Sequence, residues 1–270
     1  MVLATYLLLG ALAGVLAGLF GIGGGLVIVP VLVFTFSFLG MPAEILTHMA
    51  VATSLATIVV TSLSSIKTHH EKGVVDWLLF KQVAPWIAVG TVVGVFTAGL
   101  LQGYLLQKII GVYALVVAVQ MGFGLKPSPS RTLPGVAGLA GVGGFIGWVS
   151  AIFGIGGGSL SVPFFSWCNV RMQKAVATSA ACGFPIAIFG AVTNVYQGWQ
   201  HALLPEWSLG FVYLPAFIGI VVTSTYFAKV GAHLAHRLSA DVLKRVFAVM
   251  LLLVGLQFLV GEQLRQAFIG

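Results

Sequence analysis

The residues best placed to do chemistry are glycines. Gly21, Gly23, Gly24 and Gly25 stand in the run Phe20-Gly-Ile-Gly-Gly-Gly, and Gly154, Gly156, Gly157 and Gly158 repeat it after Phe153. Each run interrupts an apolar stretch. Glycine there leaves backbone N–H and C=O groups without side-chain cover, and lipid cannot satisfy them, so such backbone belongs inside protein or along a wet cavity. A helix restarting at Leu26 or at Ser159 would offer free N–H groups and a positive dipole end, an anion site that needs no formal charge. Close helix packing is the competing use of small residues. Two copies weigh toward a binding site, with Gly24 and Gly157 flanking its centre.

Hydroxyls and one amide complete the candidate set. Thr53-Ser54 and Thr178-Ser179 fall in the first third of two matching apolar stretches. Such side chains often bond the carbonyl one turn back, but their duplication beside the glycine runs suits donors to bound oxygens. Thr57, Gln197 and above all Asn194 are further polar groups within spans, and a buried amide must find a partner. Ser159 follows the second run where Leu26 follows the first, so its hydroxyl would act from one side only.

Other chemistries fit poorly. No Lys-Ser or Lys-Thr follows either glycine run, as a phosphate-cradling loop requires, and no strand precedes it. Glu44 lies 19 residues after Gly25, but the second copy has no counterpart. His69, His70, His233 and His236 read as solvated residues of basic loops. His48 and His201, near Glu44 and Glu206, read as interfacial, with a proton relay as the rarer use. No His or Cys spacing matches a metal site, and no cofactor is expected. Cys168 and Cys182 sit in apolar sequence as small core residues. An intramembrane Ser protease would need a base beside Ser54 or Ser179, and no deep His is available.

The elements that position these residues are membrane spans. Charged residues are only 7% of the 270, apolar ones 59%, and mean hydropathy is +1.08. A soluble domain carries about 25% charged residues, so this chain cannot cover itself in water. That excludes a soluble enzyme, a nucleic-acid-binding module and a disordered adaptor. The net charge of +7 then reads as orientation signals and contacts with anionic lipid. The first basic residue is Lys67, so the apolar N-terminus lacks the basic region of a cleaved signal peptide and reads as a retained span.

A bilayer crossing needs about 20 apolar residues. Six stretches qualify, about 43–66, 76–101, 104–124, 172–198, 207–230 and 240–260. Two more, about 2–40 and 135–170, are too long for one span and hold the glycine runs; their second limbs, about 26–38 and 159–170, are short for a crossing. The halves repeat: eight of the eleven positions 20–30 recur at an offset of 133, ending in Val29-Pro30 and Val162-Pro163, and Ala50 to Ser54 recur unchanged as Ala175 to Ser179. Pro85 pairs with Pro215, and Lys108 with Lys244. If each long segment crossed once, basic residues would divide six against seven. If each enters and returns, eleven (Lys67, Lys72, Lys81, Lys126, Arg131, Arg171, Lys174, Lys229, Arg237, Lys244 and Arg245) share one side, leaving Lys108 and Arg265 on the other. The second pattern obeys the positive-inside rule. The expected fold is therefore an all-α integral membrane protein of two inverted repeats, each a Gly-interrupted helical hairpin followed by three transmembrane helices. Residues 1–125 form repeat 1, 126–134 a cytoplasmic linker and 135–270 repeat 2, together one transport domain. Inverted repeats with interrupted helices are a plan of secondary transporters that bind substrate near the midplane.

The duplicated Phe-Gly-Ile-Gly-Gly-Gly run ending in Val-Pro, with Ala-Thr-Ser downstream in each half, resembles the TauE/SafE family of bacterial permeases, also called the sulfite exporter family. The resemblance covers residues 4–260. It implies a carrier of sulfite, sulfonates or related small organic anions in the bacterial inner membrane. It places binding on Gly21, Gly23, Gly24, Gly25, Thr53 and Ser54, and on Gly154, Gly156, Gly157, Gly158, Thr178 and Ser179. An anion channel or a carrier of small carboxylates shares these features. The partners are then a small anion and membrane lipids. The oligomeric state is left open, a homodimer included, as are the anion and the direction of transport.

Overall fold

The computed structural model describes residues 7, 10, 11, 15, 25–123, 130–235 and 240–269. The described chain is almost wholly helical. Helix α1 covers Gly25–Phe38, α2 Ala43–Glu71, α3 Trp77–Gly99 and α4 Gly103–Gly122. The second half runs through α5 Val136–Phe153, α6 Gly158–Trp167, α7 Met172–Gln197, α8 Leu214–Ala235 and α9 Ala240–Ile269. Five of these, α2, α3, α4, α5 and α7, are long and apolar enough to cross a membrane. Many large apolar side chains point outward, among them Leu78, Val116 and Leu253, which suits a surface covered by lipid rather than water.

Local sequence explains most boundaries. Asp76 caps α3 by accepting the Leu79 N–H at 3.0 Å, which satisfies one orphan donor of the first turn. α5 ends at Gly154 in the left-handed conformation, φ 64°, which glycine adopts without steric cost. Two boundaries differ from expectation. Residues 207–213 do not begin a span but form a small hairpin, with Ser208–Leu209 (β1) antiparallel to Val212–Tyr213 (β2). Trp207 and Gly210 hold positive φ there, which no helix accommodates. His69 and His70 lie on the last turn of α2 rather than in a loop, because no helix breaker occurs before Gly73.

Small residues bring helices together. Among the described helices, α3 and α5 make the most extensive contact. Gly90 and Gly94 of α3 face Gly144 and Trp148, while Gly143 and Gly147 of α5 face Val83 and Ile87. Glycines four apart on both helices allow backbones to touch, the small-xxx-small mode of membrane packing. α4 against α9 uses Gly111 and Gly255 in the same way. The third large contact joins the matching helices α2 and α7.

Two sets of contacts trace the chain's path. Ser130 and Arg131 both donate N–H to the Trp167 carbonyl at 3.2 Å, and the Trp167 indole donates to Ser130 Oγ at 2.9 Å. The end of α6 therefore returns to the side from which α5 departs, so α5 and α6 enter and return as a hairpin. α2 and α7 run antiparallel. Thr178, early in α7, lies at Asp76 beyond the end of α2, while Gly190, twelve residues further along α7, faces Leu55, near the middle of α2.

Candidate functional site

The second glycine run is a sharp reversal between α5 and α6. Gly154 N–H bonds Ala151 O at 3.3 Å and Ile155 N–H bonds Ser150 O at 3.0 Å, closing α5. α6 restarts at once, with Gly157 as its N-cap and no side chain capping it. Leu160 and Ser161 donate to Gly157 O at 3.3 and 2.8 Å, but among the described residues the N–H groups of Gly156, Gly157, Gly158 and Ser159 donate to no backbone carbonyl. These are the orphan donors at the positive end of a helix.

Around them sit hydroxyls without partners. Ser150, Ser159, Ser161 and Ser179 have side-chain oxygens that are buried and make no hydrogen bond among the described residues. Ser150 and Ser161 are 0% exposed and Ser179 1%. A Cβ built on Gly157 would meet Ser161 Oγ and the Ser179 carbonyl, both at 3.3 Å, so α6 and α7 converge on this glycine. Tyr113 of α4 stacks on Phe153, ring centroids 4.1 Å apart, and brings its phenol beside Ser159 without completing a hydrogen bond to it. Ser150, Ser161 and Tyr113 were not among the sequence candidates. Ser161 carried a signal, since it breaks the repeat where the first copy has Ile28.

Of the first run, Gly25 is described and Gly21, Gly23 and Gly24 lie outside the described residues. Gly25 packs directly on the second run, its Cβ position 2.7 Å from Gly154 O and Ile155 Cα. Ser54 donates to Gly154 O at 2.8 Å. Gly25 and Ser54 thus reach the second glycine turn from the other half of the chain.

The duplicated threonines act across the halves. Thr53 Oγ1 accepts the Tyr213 N–H at 3.0 Å, at the entry to α8. Thr178 Oγ1 accepts the Asp76 N–H at 3.0 Å, at the entry to α3. Each copy of the motif therefore fixes the start of a helix in the opposite half.

The remaining candidates stand elsewhere. Asn194 donates its amide to Gly190 O, one turn back on α7, at 2.8 Å. It is 15 residues beyond Ser179, about 22 Å along a helix axis, so the structure does not bring it to the glycine turn. Thr57 bonds Ser54 O at 2.7 Å, and Gln197 packs against Gly99. His48 is buried, not interfacial: its Nε2 lies 3.1 Å from Ala98 O, because α3 ends against α2 at that level. Phe211 separates it from exposed His201, with ring centroids 5.7 and 5.6 Å away. His70 accepts the Trp77 indole N–H at 3.2 Å. Among the described residues no three His, Cys, Asp or Glu side chains gather as a metal site.

Comparison with known proteins now gives the chain its place. The family profile described as "Sulfite exporter TauE/SafE" matches residues 6–258. The chain belongs to the TauE/SafE family. It is a multi-pass membrane transporter, not an enzyme. It is 38% identical over 252 residues to a "Probable membrane transporter protein" of Haemophilus influenzae, covering 93% of this chain and 95% of the relative. Proteins described in the same words from Methanocaldococcus jannaschii and Bacillus subtilis are 25% and 26% identical, again over more than nine tenths of both chains. No solved structure matches. In this TauE/SafE member, two of the seven buried side-chain oxygens left unsatisfied among the described residues, those of Ser159 and Ser161, belong to the first turn of α6, and the others include Thr47, Ser208 and Ser224 elsewhere in the fold.

Proposed function

We propose that this TauE/SafE transporter is a secondary carrier of a small sulfur-containing oxyanion, sulfite or a sulfonate, bound near the midplane where the glycine runs of two inverted repeats meet. The observation that carries this reading is the group of N–H donors from Gly156 to Ser159 that find no backbone carbonyl among the described residues, beside buried serine hydroxyls without a partner there. Unsatisfied buried polar groups are costly, and a multi-oxygen anion would satisfy several at once. None of the six acidic residues falls between Trp77 and Pro205, so no carboxylate of α5, α6 or α7 opposes an anion there. The antiparallel course of α2 and α7 and the return of α6 to the linker support the inverted arrangement. The printed family description, sulfite exporter, supports the substrate class.

Energetically, the membrane potential is sufficient for export, since a negative interior drives a unit anion outward by about 2.3 kcal/mol per 100 mV. The test is counterflow in proteoliposomes. Preloaded sulfite or sulfoacetate should accelerate uptake of the labelled compound, saturably and at carrier rates. Uptake stimulated only by small carboxylates, or a non-saturating flux at channel rates, would overturn the reading.

A further inference from the structure

The duplication itself marks which half of the site does the binding. Within positions 20–30 and their counterparts, the copies differ at three places, Leu26 for Ser159, Val27 for Leu160 and Ile28 for Ser161. Two of the three replace an apolar side chain by a hydroxyl. Ser150 stands, at the same offset, where the first copy has Ala17. All three serines that break the repeat are buried and unpartnered. Their described counterparts are packed as core, Leu26 at 7% and Ile28 at 3% exposure. Among the described residues the shared serine diverges in the same sense, for Ser54 has a partner in Gly154 O and Ser179 Oγ has none. A hydroxyl kept in a dry interior without a partner is unfavourable, and two of these, Ser159 and Ser161, lie in the first turn of α6, where the N–H groups of Gly156 to Ser159 donate to no backbone carbonyl among the described residues.

We propose that the anion is held at the second glycine turn, through the N–H groups of Gly156 to Ser159 and the hydroxyls of Ser159, Ser161 and Ser179. The first copy supplies the apolar wall and the structural bond from Ser54. This rests on the anion-carrier reading and deepens it. The ligand class is a compact oxyanion taken by neutral donors, several to each oxygen face, with no cation required. Ser161 Oγ of α6 and the backbone of Ser179 of α7 lie against Gly157, so loading the site would tie those two helices together.

The experiment uses the purified full-length protein in detergent, with thermal stabilisation titrated by sulfite, ethanesulfonate, sulfate and acetate. The anion that stabilises wild type most should lose roughly tenfold or more in apparent affinity in Ser159→Ala and in Ser161→Ala. Thr193→Ala removes a hydroxyl that bonds its own helix at Phe189 O, 2.7 Å away, and should stay within about twofold of wild type. Without ligand, Ser161→Ala should melt at or above the wild-type temperature, because its hydroxyl has no partner to lose. Wild-type affinity in both serine variants would overturn the assignment. Lower unliganded stability, or loss of folded protein, in both would do so too, since the hydroxyls would then hold the fold. If acetate alone stabilises wild type, the sulfur-oxyanion reading falls, while the serine assignment is decided by the same two variants. If none of the four anions stabilises wild type, both fall.

Discussion

Gly154 and Gly158 stand four residues apart and would answer an added methyl in opposite ways. Gly154 has φ 64°, and a Cβ on it would lie 2.8 Å from Val29 Cγ2 and 3.0 Å from Val51 Cα. The left-handed backbone costs a non-glycine residue about 1–2 kcal/mol, and overpacking adds about 1–3 kcal/mol. Gly154→Ala should therefore reduce the yield of monodisperse protein, measured by size exclusion. Gly158 opens α6, and nothing lies within 4 Å of its Cβ position. Gly158→Ala should express at wild-type levels with a melting temperature equal or higher, as alanine favours a helix by about 0.5–1 kcal/mol, yet bind the anion more weakly. It is a better test of the site than a valine at Gly157, where Ile186, Ser161 and Ser179 already crowd at 3.3 Å. At the other end of α6, burial pushes the Cys168 thiol up, partly opposed by Arg131. In a Cys182→Ala background, maleimide labelling of Cys168 should be slow at neutral pH and rise with pH as thiolate forms. Arg131→Gln should slow it further, because the opposing positive charge is gone.

At the scale of elements, the threonine bonds explain how two halves with a polar interior stay in register. Thr53 and Thr178 each present an oxygen to a backbone N–H where a helix of the other half begins. Valine is isosteric but cannot accept. Thr53→Val and Thr178→Val should each lower stability by about 1 kcal/mol, followed by thermal or denaturant melting in detergent, and serine at either position should recover most of the loss. The hairpin of α5 and α6 has its own tether. Ser130, Arg131 and Asn169 bond around Trp167, and the Arg131 guanidinium lies 5.1 Å from its ring, a cation–π contact. A short return helix thus gains at the linker some of the fixing that its 10 residues cannot provide alone.

For the whole molecule, the ends of the helices sort into two groups. Gly103 packs on Glu44 O, and His48, Phe211 and His201 gather with them at one end; Ser130 and Trp167 lie at the other. Single cysteines in a background lacking Cys168 and Cys182 turn this into a sidedness test. Cysteines replacing Gln102 and Leu203 should both react with an impermeant maleimide on intact spheroplasts. Those replacing Lys72 and Arg171 should react only after permeabilisation. Inverted repeats place the first pair on one side, whereas parallel repeats would place them on opposite sides, so opposite labelling of Gln102 and Leu203 would sink the inverted arrangement.

The sequence by itself determined that the chain lives in a membrane, because 7% charged residues cannot solvate a surface. It also located the reversal at Gly154, where φ 64° favours glycine, and it exposed the duplication through runs that are local in the chain. The same local signals placed most spans within a few residues, missing the hairpin before α8, whose turn depends on positive φ at Trp207 and Gly210. Which hydroxyls are free was decided by the tertiary structure alone. Ser54 and Ser179 share the same preceding Ala-Val-Ala-Thr, yet one meets a carbonyl 100 residues away and the other meets none among the described residues. Thr53 is engaged by a backbone group 160 residues distant, and His48 is buried because α3 ends against α2. Hydrogen-bond satisfaction is a property of pairs brought together by folding, so a pattern of residue types can nominate a donor but only packing determines whether that donor is still free to bind.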